Sequence, residues 1–148
     1  MRVLALDVGE RRIGMAMSDP LGITAQRAGT IERGAIKETL GDLREIAIRN
    51  GIGMVVVGLP LSMDGSRGTS AARVGRFTEE LTRALTIPVT LWDERLTTAE
   101  ADRLMRSAGI SRKKRTGHLD EVAAQLILQS YLDSHRDNPE VMGQLWGK

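Results

Sequence analysis

In mid-chain, Met54-Val55-Val56-Val57-Gly58 is a continuous apolar run dominated by β-branched residues, with nothing polar to face water on either side. A strand of that kind belongs where both faces are covered, as in a parallel sheet packed between helices. The flanking segments supply the covers. Residues 35–50 place Ile36, Leu40, Leu43, Ile46 and Ala47 at spacings of three and four, which predicts an amphipathic helix, and Asn50-Gly51 stops it. A second helix is expected over residues 70–85, after a long Gly-, Ser- and Asp-rich loop at 59–69, and a strand over 88–92 follows. Strand–helix–strand order implies parallel pairing through right-handed crossovers. The chain is therefore expected to be α/β.

The amino-terminal third has a different rhythm. Arg2-Val3-Leu4-Ala5-Leu6-Asp7 is a short apolar run that ends in a carboxylate, and Ile13-Gly14-Met15-Ala16-Met17-Ser18 is a second. A short turn-forming stretch separates them, which predicts a hairpin. A third strand is expected over 25–31, interrupted at Gly29. Towards the other end, Thr97 and Glu100 have capping-box spacing for a helix over 97–108, and Gly109 stops it. A basic linker at 111–117 leads into a last helix over 119–133, with Val122, Ala123, Leu126, Ile127 and Tyr131 on its apolar face. The expected architecture is a five-stranded mixed sheet with helices on both faces, in one domain over 1–135, followed by a polar tail over 136–148.

Composition narrows the chemistry. The 148 residues include no cysteine, which excludes a disulfide scaffold, a thiolate metal site and a cysteine nucleophile. No apolar run approaches the ~20 residues of a membrane span, and the amino terminus lacks a signal peptide's apolar stretch, so a soluble cytoplasmic protein without a membrane partner is expected. Net charge is only +2, which permits a nucleic-acid partner without requiring one. Aromatics are 3% of residues, too few for a base-stacking platform, so any nucleic acid would be held through its phosphates and shape.

Ligands of open α/β sheets collect beyond the carboxyl ends of the parallel strands. Asp7, Gly58-Leu59-Pro60 and Asp93-Glu94 end the first, fourth and fifth strands. Convergent acids there repel one another and call for a cation or a proton, and Asp120, at the start of the last helix, is a candidate third carboxylate. Oxygen-only ligands favour a hard ion such as Mg²⁺ or Mn²⁺, and paired ions of that kind suit phosphoryl chemistry. Each acid also has a plainer role available: a turn former at Asp7, a partner for Arg95 at either Asp93 or Glu94, a helix-dipole partner at Asp120. Glu100 reads as a capping-box partner, and His118 as a histidine that is solvated or stands behind the acidic ligands. Arg112, Lys113, Lys114 and Arg115 are a basic run beside Asp120, suited to a phosphate backbone, and Arg67 adds charge to the 59–69 loop.

Four motifs together resemble the YqgF/RuvX family of bacterial RNase H-like proteins, linked to Holliday-junction resolution and to precursor ribosomal RNA cleavage. They are Leu6-Asp7-Val8-Gly9 with Ile13-Gly14; Val57-Gly58-Leu59-Pro60-Leu61-Ser62-Met63-Asp64-Gly65; Asp93-Glu94-Arg95-Leu96-Thr97-Thr98; and Leu119-Asp120-Glu121-Val122-Ala123-Ala124. Ser62 stands where members usually carry Asn. The resemblance implies an RNase H-like fold and metal-dependent hydrolysis of phosphodiesters. It implies that Asp7, Glu94 and Asp120 hold two ions, with Asp7 bridging both. Arg67, Arg95 and the 112–115 run are expected to bind nucleic acid on the strength of their charge and placement. The implied substrate is structured RNA or branched DNA, in 5′ maturation of small-subunit ribosomal RNA at the ribosome or its precursor, by a monomer or homodimer. Asp7-Val8-Gly9 also resembles the phosphate loop of actin-like and sugar-kinase folds, but those need two such domains, more than 148 residues supply. A non-catalytic RNA-binding assembly factor on the same fold is the remaining alternative.

Overall fold

A computed structural model describes residues 1–62, 64–96 and 119–135. The strands are β1 (Arg2–Val8), β2 (Arg12–Ser18), β3 (Ala25–Glu32), β4 (Ile52–Leu59) and β5 (Val89–Asp93), and the helices are α1 (Ile36–Arg49), α2 (Thr69–Ala84) and α3 (Leu119–His135). The sheet order is β3-β2-β1-β4-β5. β1–β2 and β2–β3 pair antiparallel, whereas β1–β4 and β4–β5 pair parallel. This is the expected mixed sheet, with β4 starting two residues earlier than its valine run suggests. The expected helix over 97–108, the 111–117 linker and the 136–148 tail lie outside the described residues, as do Glu100 and His118.

The two faces of the sheet carry separate cores. Leu4, Leu6, Ile13, Val55 and Val57 meet Leu43 and Ala47 of α1 and Val74, Phe77 and Leu81 of α2. Val3, Ala5, Ala16 and Val56 meet Ala124, Ile127, Leu128, Tyr131 and Leu132 of α3. The three consecutive valines therefore divide two to one between the faces, as strand alternation requires. Of the positions read from the sequence, Val122, Leu126, Ile127 and Tyr131 are buried and Ala123 is only half-buried, while Ala124, Leu128 and Leu132 extend the packed face. Because α3 is apolar on more than one side, its periodicity does not single out one stripe. Leu128 is 0% exposed. Leu128→Ala is expected to cost about 2–5 kcal/mol, read as a lower denaturant midpoint at unchanged slope.

Gly29 marks a bulge rather than a strand end. Its φ is +86°, and the β2–β3 register slips between Gly14 and Ala16. The bulged amide is not orphaned: Gly29 N–H donates to Glu121 Oε2 at 2.9 Å, tying β3 to the first turn of α3. β5 is tied to the same helix. Trp92 Nε1 donates to Ser130 Oγ at 3.2 Å, and its ring meets Tyr131 edge-on with centroids 5.3 Å apart. No helix among the described residues is long and apolar enough to cross a membrane.

Candidate active site

Asp7 pairs in register with Gly14 of β2, and by alternation both face α3 along with Gly58 of β4. Asp7 is thus flanked by neighbouring strands that present glycine instead of a side chain. Each vacancy is filled by an acid-bearing segment. A methyl on Gly14 would fall on the backbone carbonyl and Cβ of Asp120, so the start of α3 sits directly on β2 there. A methyl on Gly58 would lie 2.7 Å from Glu94 Oε1 and would also strike Ile127 Cδ1. The Glu94 carboxylate therefore reaches over Gly58 from the end of β5. Gly58→Ala is expected to push Glu94 out of place and to cost about 1–3 kcal/mol by overpacking, measurable by denaturant unfolding together with loss of activity.

The electrostatics record this convergence. The Asp7 carboxyl is pushed up to about 7, first by burial, then by the charges of Glu94 and Asp120 and by a hydrogen bond shared with Glu94. Burial also raises Glu94; the bond with Asp7 opposes the rise and the Asp93 charge adds to it. Among the described residues no group of three or more acidic or histidine side chains is gathered closely enough to hold a metal ion. The arrangement is a hydrogen-bonded Asp7–Glu94 pair with Asp120 close enough for its charge to be felt.

Adjacent residues at the end of β5 have opposite fates. Asp93 accepts bonds from Arg95 Nε (3.1 Å to each carboxylate oxygen), from Arg95 Nη2 (2.7 Å) and from the Arg95 backbone amide (2.9 Å). Those bonds hold the Asp93 carboxyl below its usual range. The role of Arg95 partner thus falls to Asp93, and Glu94 is left to face Asp7.

The residues expected to contact nucleic acid separate. The Arg95 guanidinium also lies beside Gly65, about 3.5 Å from where a methyl there would stand, bracing the 59–69 loop. That loop is a structured turn: Ser62 N–H donates to Ser66 O at 3.0 Å, Gly65 N–H to Ser62 O at 2.8 Å, and Ser66 N–H to Asp64 Oδ1 at 2.9 Å. The Gly65 amide is therefore engaged within the loop. Arg67 is exposed and lies along α2 at Gly75. Arg112, Lys113, Lys114 and Arg115 lie outside the described residues.

Beyond the strand ends a cleft of about 230 Å³ opens against the acid pair, lined by Asp7, Glu94, Glu10, Arg33, Ser70 and Arg73 among others. Sequence patterning does not single out Arg33 and Arg73. They stand 40 positions apart, one just after β3 and the other on α2, where a lone arginine reads as solvated surface, and only the fold brings them together.

Comparison with known proteins agrees with this architecture. Residues 1–134 match the model of the RuvX family, described as Holliday junction resolvase. A Clostridium novyi protein is 47% identical over 134 residues, covering 90% of this chain and 99% of the relative, and a Myxococcus xanthus protein is 46% identical over 136 residues, covering 92% and 90%. Both bear the name "Putative pre-16S rRNA nuclease". Thermus thermophilus RuvC, solved in complex with a Holliday junction substrate, superposes with a TM-score of 0.56 at 18% identity, over 93% of this chain and 96% of that one. The Fowlpox virus resolvase superposes with a TM-score of 0.51 at 14% identity, over 90% and 98%. At such identities the structural likeness establishes the RNase H-like fold alone. The match spans nearly the whole chain, and relatives are identical at nearly half of the aligned positions: this chain belongs to the RuvX family.

Proposed function

We propose that this chain is a divalent-metal-dependent nuclease that hydrolyses a phosphodiester bond in the precursor of 16S ribosomal RNA, at the 5′ maturation step. The names of its relatives supply the substrate, and the crowding of Asp7, Glu94 and Asp120 carries the chemistry. Holding acids this close, with one carboxyl raised to about 7, costs folding free energy that a bound cation would return. The donor set is all oxygen, which fits Mg²⁺ or Mn²⁺. Asp7 stands between the other two, and these three carboxylates are the residues that would hold the ions. Such ions would polarise the scissile phosphate and ease deprotonation of water. The chain's own part is positional. Gly14 and Gly58 admit the two outer acids, the Trp92–Ser130 bond holds β5 against α3, and Arg95 keeps Asp93 out of the acid pair.

The test is cleavage of a 5′-extended 16S precursor RNA and of a four-way DNA junction, each with Mg²⁺, with Mn²⁺ and with chelator. Metal-dependent cut RNA and an intact junction are expected. Cleavage of the junction alone would favour a resolvase, and binding of RNA without cleavage under any metal would favour an assembly factor.

A further inference from the structure

Any nucleic acid brought to Asp7 and Glu94 carries repelling phosphates, so substrate can approach only where positive charge stands beside the acids. The cleft supplies that charge from two directions. Arg33 follows β3, donates from Nη1 to the Gly9 carbonyl at 2.8 Å, and lies over the Phe77 ring at 5.2 Å from its centroid. Its bond to Gly9 uses one of the five guanidinium N–H donors. Arg73, near the start of α2, donates from Nη1 to Glu10 Oε1 at 2.7 Å and from Nη2 to Ser70 Oγ at 3.3 Å. Both arginines line the same cavity as Asp7 and Glu94.

The Arg73–Glu10 pair is a weak one, because the Glu10 side chain is 73% exposed and that of Arg73 39%. A phosphodiester presents two non-bridging oxygens that share one negative charge and can take a guanidinium fork in bidentate fashion, whereas Glu10 engages Arg73 through a single oxygen. Building on the nuclease reading above, we propose that Arg33 and Arg73 form a seat for a backbone phosphate flanking the cleaved bond, and that Glu10 occupies the Arg73 half of this seat until substrate displaces it. The seat confers no base preference, as expected of a chain with so few aromatic residues.

The experiment is equilibrium binding of the 5′-extended 16S precursor RNA to the full chain without divalent ions, from low to moderate salt. Arg73→Ala is expected to flatten the salt slope by roughly 0.7–0.9 and Arg33→Ala to add a similar amount. Glu10→Gln is expected to tighten binding roughly two- to fivefold at low salt, a gain that vanishes in the Arg73→Ala background. Arg33→Ala removes the bond to Gly9 and can unfold the chain, but Arg73 and Glu10 are partly exposed and keep the proposal testable. Unchanged slope in Arg73→Ala together with unchanged affinity in Glu10→Gln would overturn it. A nuclease reading that failed would instead show as RNA left uncut by the wild type with metal, whatever these isotherms gave.

Discussion

Asp7→Asn is expected to abolish metal-dependent cleavage while the fold survives and becomes more stable without metal. Neutralising the acid between Glu94 and Asp120 removes the shared ligand, and loss of several kcal/mol of transition-state stabilisation is roughly a thousandfold or more in rate. The stability change has the opposite sign because the ionised carboxyl is disfavoured in the folded chain. The Asp7 carboxyl titrates near 7 when folded, against 3.8 for the unperturbed group. Between those values the folded state binds more protons than the unfolded one, so metal-free stability should fall as pH rises from about 4 to about 7, then level off. Glu94 shifts the same way and steepens the fall. The predicted loss across the window is a few kcal/mol, and Asp7→Asn should remove most of it. Denaturant midpoints at a series of pH values, with and without the substitution, would check this.

The second large effect is expected at Gly14. A methyl there meets the Asp120 backbone rather than the tip of a flexible side chain, so the start of α3 has to move. The same turn carries Glu121, whose carboxylate satisfies the Gly29 bulge, and displacement should expose that amide as well. Gly14→Ala is expected to destabilise by about 1–3 kcal/mol through overpacking and to lose activity by as much as Asp120→Asn. Comparing the two variants separates the effects, since Asp120→Asn should lose activity at nearly unchanged stability. Wild-type activity in Gly14→Ala would show that the position of Asp120 does not matter.

The strand ends are legible in the sequence because they rest on local rules. The valine run of β4 calls for cover on both faces, and the acids at the ends of β1 and β5 follow from parallel pairing. Other features need three dimensions. Residue types at 93 and 94 do not say which acid takes Arg95, because that choice is made by the turn at Glu94–Leu96. The motif glycines are legible as motif members, but why they are glycine is not: Gly14 and Gly58 are small because Asp120 and Glu94 come in over them from distant segments. Periodicity points to Ala123 as a packing position of α3, yet an apolar helix offers several stripes and the sheet selects the one through Ala124 and Leu128. Arg33 and Arg73 leave no sequence signal, since neither belongs to a charge run.

The central claim is that Asp7, Glu94 and Asp120 hold divalent ions. Thermal unfolding during a Mn²⁺ titration near pH 7, for the wild type, Asp7→Asn and Glu94→Gln, tests it without any substrate. A ligand that binds only the folded chain stabilises it by RT ln(1 + [L]/Kd), so the unfolding temperature keeps rising with the logarithm of the ion concentration. The wild type should climb steadily with Mn²⁺, Asp7→Asn should start higher and stay flat, and Glu94→Gln should climb less. An equal climb in all three would place the ion elsewhere and contradict the account.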